Sequence, residues 1–259
     1  MTHTPLSTPP VRRSDPSLIR TMLYLLALGA VVAGLLMTVM PGTAHAEPQA
    51  RTNAVPAAVT ATGCADVEVL FARGTFEGPG VGKVGQPFVD ALQQRLPGRT
   101  VNVYAVNYPA SLDFARAADG VLDAATHIRD IAAACPSTDI VVGGYSQGAA
   151  VSGYVTSDTV PANYPLPEGL TAALAPAVAD HVAAVALFGK PSAGILNLLQ
   201  HDAPPITIGT AFAGKTIDLC ADQDPVCAGG LNRSAHSAYT TNGMPAQAAD
   251  FVITRLHNR

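Results

Sequence analysis

Val141-Val142-Gly143-Gly144-Tyr145-Ser146-Gln147-Gly148-Ala149-Ala150 is the stretch on which the fold turns. It contains Gly-x-Ser-x-Gly centred on Ser146. An apolar, β-branched run, Ile140 to Val142, precedes it, and small helix-compatible residues follow. A strand, a sharp turn and a helix in that order are what a nucleophile elbow needs, because the turn lifts the serine hydroxyl clear of the sheet. Gly144 and Gly148 let strand and helix approach closely. Ser146 then opens a helix, whose unpaired N–H groups favour negative charge.

Outward from the elbow, strand and helix patterns alternate. Val67 to Phe71, Val101 to Val106, Ile140 to Val142, Val182 to Phe188 and Lys215 to Leu219 read as strands. Gln86 to Leu96, Phe114 to Ala134, Ser146 to Thr156 and Pro245 to Leu256 read as helices. Alternation of this kind implies a parallel sheet with right-handed crossovers. The expected fold is a single doubly wound α/β domain over residues 63–259, with its chemistry at the carboxyl ends of the strands. The segments 157–180 and 192–213 give no clear period. The first lacks a helical apolar stripe, and the second carries an apolar patch, Ile195, Leu196, Leu198 and Leu199, that either borders an acyl groove or packs internally. Neither reads as a lid, so an open, shallow cleft is expected.

The first 46 residues read as a secretory signal. Arg12, Arg13 and Arg20 are followed by an uncharged stretch from Thr21 to Met40 and by Ala44-His45-Ala46 before Glu47. An uncleaved membrane anchor is the alternative, since the stretch is long enough to span a bilayer. Residues 47–62, rich in Ala, Pro and Thr, read as a disordered linker. The chain has 15 basic and 19 acidic residues, and the first 46 hold three and one of them. The remainder therefore has 12 and 18. That balance argues against nucleic acid or an anionic membrane as partner. No zinc pattern is present, neither His-Glu-x-x-His nor Cys-x-x-Cys, so neither a metal nor another cofactor is expected.

Four cysteines in an exported chain suggest two disulfides, with three pairings open. Cys220 and Cys227 can close a tight loop. Cys64 and Cys135 each precede a strand and can bridge if those strands are neighbours.

A serine hydroxyl needs a base. Where the chain order runs Ser, then acid, then His, His236 falls in the loop after the fifth strand, where the base belongs. Asp222 and Asp224 are both candidates for the acid, inside the Cys220–Cys227 loop, while Asp218 lies within the strand. The oxyanion needs two N–H donors. One is the backbone of Gln147, and the other comes from the loop near Thr75. Asn232-Arg233-Ser234 matches a glycosylation sequon but lies beside His236, where a glycan would obstruct the site.

Four motifs together, Ala72-Arg73-Gly74-Thr75, Gly143-Gly144-Tyr145-Ser146-Gln147-Gly148-Ala149, Cys220-x-x-x-Asp224-x-x-Cys227 and His236-Ser237-Ala238-Tyr239, resemble the cutinase family over about residues 63–258. The resemblance implies a three-layer α/β-hydrolase with a five-stranded parallel sheet and little or no lid. It implies Ser146 as nucleophile, Asp224 as acid, His236 as base, and Thr75 and Gln147 at the oxyanion hole. It also implies the pairings Cys64–Cys135 and Cys220–Cys227. The family often has serine where Thr75 stands. Threonine keeps the hydroxyl and adds a methyl group. The expected activity is a secreted, monomeric carboxylesterase acting on short- to medium-chain esters or polyesters. The alternatives are a carbohydrate deacetylase such as an acetylxylan esterase, disfavoured by the absence of Trp, and an inactive secreted surface protein.

Overall fold

A computed structural model describes residues 63–161 and 166–258. The signal and linker expected over residues 1–62 lie outside the described residues.

Five strands form one parallel sheet in the order β2-β1-β3-β4-β5, with β1 Val67–Ala72, β2 Val101–Ala105, β3 Asp139–Tyr145, β4 Val182–Phe188 and β5 Thr216–Leu219. The three central strands are buried on both faces and read as almost continuous apolar runs, as strands covered on both sides do. The helices are α1 Gly82–Arg95, α2 Ala117–Ala134, α3 Gln147–Val155, α4 Pro176–Ala179, α5 Ala193–Leu199, α6 Thr210–Ala213 and α7 Met244–His257. Short 3-10 turns cover Phe114–Arg116 and Ala235–Thr240.

Two cores, one on each face of the sheet, make the three layers. On one face Val84, Phe88 and Leu92 of α1 and Ala248, Val252 and Leu256 of α7 pack on Val69, Phe71 and Phe188. On the other, Val121, Ala125 and Ile128 of α2 and Val151 and Val155 of α3 pack on Leu70, Val142 and Leu187. The i, i+3/i+4 spacing of these residues gives each helix one apolar stripe.

The elements agree with the sequence reading except at their edges and in two segments. β3 continues through Gly143 and Gly144, which resemble a turn in sequence. Phe71 fills the space a side chain at 143 would need, with its ring carbon 2.6 Å from the position of an added Cβ. α1 begins at Gly82, four residues before the expected start. The segment 157–180 ends in the short helix α4, and 192–213, which shows no period, holds two short helices, α5 and α6.

Because β1 and β3 are neighbours, Cys64 and Cys135 meet at the amino end of the sheet and are bonded. Cys220 and Cys227 are bonded across the loop after β5. No helix among the described residues is long and apolar enough to cross a membrane.

Candidate active site

The elbow is built as the glycines require. Ser146 has φ 54° and ψ −116°, a conformation that costs an L-residue energy and is held here by the strand before it and the helix after it. Its N–H still donates to Phe188 O of β4 at 2.9 Å, so strand pairing runs up to the serine. A Cβ at Gly144 would lie 2.2 Å from Gly148 O, and one at Gly148 would lie 1.9 Å from Ala72 O. Neither position admits a side chain, and the second close approach brings the end of β1 against the start of α3.

Ser146 Oγ lies 2.9 Å from His236 Nε2. His236 Nδ1 lies 2.8 Å from Asp224 Oδ2 and 3.0 Å from Oδ1. An ionised Asp224 only accepts, so Nδ1 carries the proton and donates. Nε2 is then free to accept from the serine hydroxyl. Asp224 is 0% exposed, whereas Asp222 is an exposed loop residue. The structure thus brings Ser146, His236 and Asp224 together and leaves Asp222 outside the cluster. His236 sits in a 3-10 turn rather than in an open loop.

The buried carboxylate is held by more than the histidine. Val226 N–H donates to Oδ1 at 2.8 Å, and Tyr239 OH donates to Oδ2 at 2.7 Å. Tyr239 is itself fully buried, accepts from Ala221 N–H at 3.0 Å and touches Cys227 Sγ at 3.3 Å. Its hydroxyl therefore ties the acid to both ends of the disulfide loop. Burial pushes the Tyr239 phenol well above its ordinary value, with the bond to Asp224 acting the same way, so it stays a donor. Tyr145 stacks on the His236 ring with centroids 5.1 Å apart and donates to His236 O. These two tyrosines lie inside the motifs quoted above, but sequence reasoning assigned them no role. Their signal was there: a tyrosine beside the nucleophile and another three residues after the base.

Gln147 is the first residue of α3, and Thr75 lies in the loop after β1. The loop after β1 lies against the elbow, since a Cβ at Gly74 would meet the Tyr145 ring at 2.7 Å. That loop is pinned from within. Arg73 is buried and donates to Glu77 O, Val106 O and Tyr108 O at 2.8, 3.2 and 2.5 Å. The Glu77 carboxylate accepts from Gly74 N–H at 2.6 Å and Lys83 N–H at 2.8 Å. Phe76 takes φ 65°, and its N–H donates to Ala110 O at 2.7 Å. Thr75 is half-buried between these anchors. Gln147 is 2% exposed, and its Nε2 donates to Ser111 O at 3.0 Å.

Beside Gln147 opens a cavity of about 220 Å³ between α2, α3 and the segments 157–161, 166–170 and 191–207. An open, shallow cleft is the expectation from sequence, and this walled pocket is outside it. Segments too irregular to read from sequence form its sides. Leu196 and Leu199 of α5 line it, while Leu198 points away at 64% exposed.

The cutinase family model matches residues 63–256. Carboxylesterase Culp1 of Mycobacterium tuberculosis is 50% identical over 194 residues, 74% of this chain and 82% of the relative. A Trichoderma reesei cutinase solved with a phosphonate inhibitor is 32% identical, with a TM-score of 0.55 over 74% of this chain and 77% of that one. An acetylxylan esterase structure is 26% identical, with a TM-score of 0.61 over 75% and 100%. A strained serine elbow on a five-stranded parallel sheet, and a family match that spans the sheet from end to end, lead to one conclusion: the chain belongs to the cutinase family and is a carboxylic-ester hydrolase.

Proposed function

We propose that the protein is a secreted, monomeric serine carboxylesterase in which Ser146, His236 and Asp224 form the catalytic triad. The observation that carries this reading is the continuous chain of hydrogen bonds from Ser146 Oγ through His236 to a fully buried Asp224. His236 Nε2 takes the serine proton as Oγ attacks the ester carbonyl, and Asp224 stabilises the imidazolium that forms. The backbone N–H of Gln147 and the Thr75 loop receive the oxyanion, aided by the start of α3. Collapse of the tetrahedral intermediate expels the alcohol, protonated by His236, and leaves an acyl-Ser146. Water, activated by the same histidine, then releases the acid. The substrates are short- to medium-chain fatty esters or polyesters. Two disulfides and the leader-like start of the sequence support export.

Deacetylation of a polysaccharide is the competing chemistry, and an apolar cavity lined by Gln147, the residue after Ser146, favours acyl chains over sugars. The test is labelling by a fluorophosphonate together with nitrophenyl acetate hydrolysis. The native protein is expected to label at Ser146 and turn over. Labelling elsewhere, or turnover surviving Ser146→Ala in a folded protein, overturns the assignment.

A further inference from the structure

We infer that Glu77 is a positioning residue of the oxyanion hole, whose carboxylate locks the turn after β1 so that the Thr75 N–H is presented to the ester oxygen. The inference rests on Ser146 being the nucleophile and on the Thr75 loop receiving the oxyanion. The contacts of that loop come first. The end of β1 and the turn after it touch the elbow on both sides of Ser146. A Cβ at Gly148 would lie 1.9 Å from Ala72 O and 2.5 Å from Arg73 O, and one at Gly74 would lie 2.7 Å from the Tyr145 ring. Thr75 is the next residue along.

From Gly74 to Glu77 the backbone N–H groups are spent inside the protein, with one exception. Gly74 N–H goes to Glu77 Oε2 at 2.6 Å, Phe76 N–H to Ala110 O at 2.7 Å and Glu77 N–H to Gly74 O at 3.2 Å. Thr75 is half-buried, and its N–H has no acceptor among the described residues. An N–H left unspent, with both neighbouring N–H groups fixed, is what stabilisation of an oxyanion asks for, because the donor needs no reorganisation when charge develops.

The turn does not hold itself. Phe76 has φ 65° although its side chain is 75% exposed. A bulky residue in the left-handed region is strained and persists only where its surroundings over-determine it, and a ring so exposed supplies little packing. The Glu77 carboxylate supplies the restraint. One oxygen closes on Gly74 N–H across Thr75 and Phe76, and the other accepts Lys83 N–H at 2.8 Å in the first turn of α1. Bonds to an ionised carboxylate are about twice as strong as neutral ones. Gly82 leaves room for the group: it has φ 74°, and a Cβ there would lie 2.2 Å from Glu77 Oε2. The turn is also indexed to the second donor residue. Ala110 O takes Phe76 N–H, and the adjacent Ser111 O takes Gln147 Nε2 at 3.0 Å. By charge alone, a carboxylate near an oxyanion hole opposes the developing negative charge. The two roles therefore differ in sign: positioning predicts a loss on removing Glu77, and bare charge predicts a gain.

The experiment compares the native enzyme with Glu77→Gln, Glu77→Ala and Gly82→Ala, the last of which displaces the carboxylate without altering it. Kinetics on nitrophenyl butyrate are read beside thermal melts and the Ki of butylboronic acid, which adds to the serine hydroxyl as a tetrahedral anion. Glu77→Ala is expected to lower kcat about 10- to 100-fold, the range of a misplaced rather than deleted oxyanion donor. Glu77→Gln keeps one acceptor oxygen and is expected to lose about 3- to 10-fold. KM is expected to stay within about twofold while the boronate Ki rises by the factor that kcat/KM falls, since both read the tetrahedral state. Gly82→Ala is expected to cost about tenfold alone but less than about twofold when added to Glu77→Ala, because the group it displaces is already gone. The limb of the pH profile that reports His236 stays in place. Unchanged or raised kcat in the folded Glu77 variants overturns the inference, as do additive losses in the double variant. A lower melting temperature with native boronate affinity also overturns it and leaves Glu77 as a cap of α1. A His236 limb moved to lower pH assigns Glu77 to the base instead of the oxyanion hole. Turnover that survives Ser146→Ala removes the underlying reading, whatever the Glu77 variants do.

Discussion

Two buried histidine–carboxylate pairs are held among the described residues, and only one faces a serine. His236 and Asp224 meet at 2.8 Å at the carboxyl end of the sheet, and His127 and Glu68 meet at 2.7 Å on the β1–α2 side. Both carboxylates are buried, at 0% and 2% side-chain exposure. Both are further hydrogen-bonded, Asp224 by Tyr239 and Val226, and Glu68 by Asn102 Nδ2 at 2.6 Å. Both histidines stack on a tyrosine, Tyr145 in one case and Tyr104 in the other. What separates them is the second ring nitrogen. In His236, Nε2 faces a serine hydroxyl on a strained turn. In His127, Nε2 is itself the atom bound to Glu68, and the ring lies against Tyr104 at 3.6 Å. A buried histidine–carboxylate pair is therefore a structural element first. It can act as a base only when its free nitrogen is aimed at a proton worth moving.

Removing the serine is the largest way to break the contrast. Ser146→Ala is expected to lower kcat by at least about 10⁴-fold while the protein melts near its native temperature, since triad serines act as a unit with their base. Retention of turnover by a folded variant contradicts the proposed nucleophile.

Next comes the acid. Asp224→Asn is expected to cost about 10⁴-fold in kcat, because an amide at this position favours the wrong tautomer of His236. Asp222→Asn, in the exposed part of the same loop, is expected to change kcat by less than about threefold, as surface substitutions do. Parallel kinetics of the two variants decide between the aspartates, and a larger loss at 222 reverses the assignment.

A smaller loss is expected at Tyr239, as a positioning residue. Tyr239→Phe keeps the ring in the core and deletes the hydroxyl shared by Asp224 and Ala221. A hydrogen bond to a charged group contributes about 1.5–3 kcal/mol, so kcat is expected to fall about 10- to 100-fold with KM nearly unchanged. The fluorophosphonate labelling rate should fall in proportion. A variant that loses stability but labels at the native rate limits Tyr239 to packing.

The pair that faces the serine is legible in the sequence and the other pair is not. Ser146, His236 and Asp224 stand in motifs whose spacing is fixed by a turn, a disulfide loop and chain order. Asp224 was separated from Asp222 only through the family resemblance. Burial, which distinguishes the two physically, depends on Tyr239 folding back over the loop. β4 was read to its residue limits because seven consecutive apolar residues are bounded by His181 and Gly189. By contrast, Glu68 is a lone acid inside the apolar run of β1, and His127, 59 residues away, lies within a helix. Their pairing follows from the register of β1 with β2 and the packing of α2, neither of which has a local signal. The pocket walls at 157–161, 166–170 and 191–207 have no local signal for the same reason. Their residues answer to contacts with α3, as Ile206 does to Gly153, and not to a repeat of their own.

The smallest effect on turnover, and the one that sharpens the comparison most, is expected at the second pair. His127→Ala leaves the Glu68 carboxylate buried with Asn102 as its remaining side-chain partner. Removing the donor of a buried carboxylate costs about 3 kcal/mol, because the acceptor is left one hydrogen bond short away from water. In a domain of this size that corresponds to a fall in melting temperature of roughly 10 °C. kcat/KM below the melting transition is expected to stay within about twofold of native, since the pair lies away from the serine and mutations without shared partners act independently. Adding Glu68→Gln removes the stranded carboxylate and should recover part of the loss, because a neutral amide can still accept from Asn102 and costs less to bury. The measurement is a double-mutant cycle in thermal melts, run beside nitrophenyl ester kinetics on the same samples. Recovery of stability with unaltered kinetics makes the His127–Glu68 pair a strut. A collapse of kcat at full stability would mean that the two pairs are coupled through the sheet, and that the free nitrogen is not what divides them.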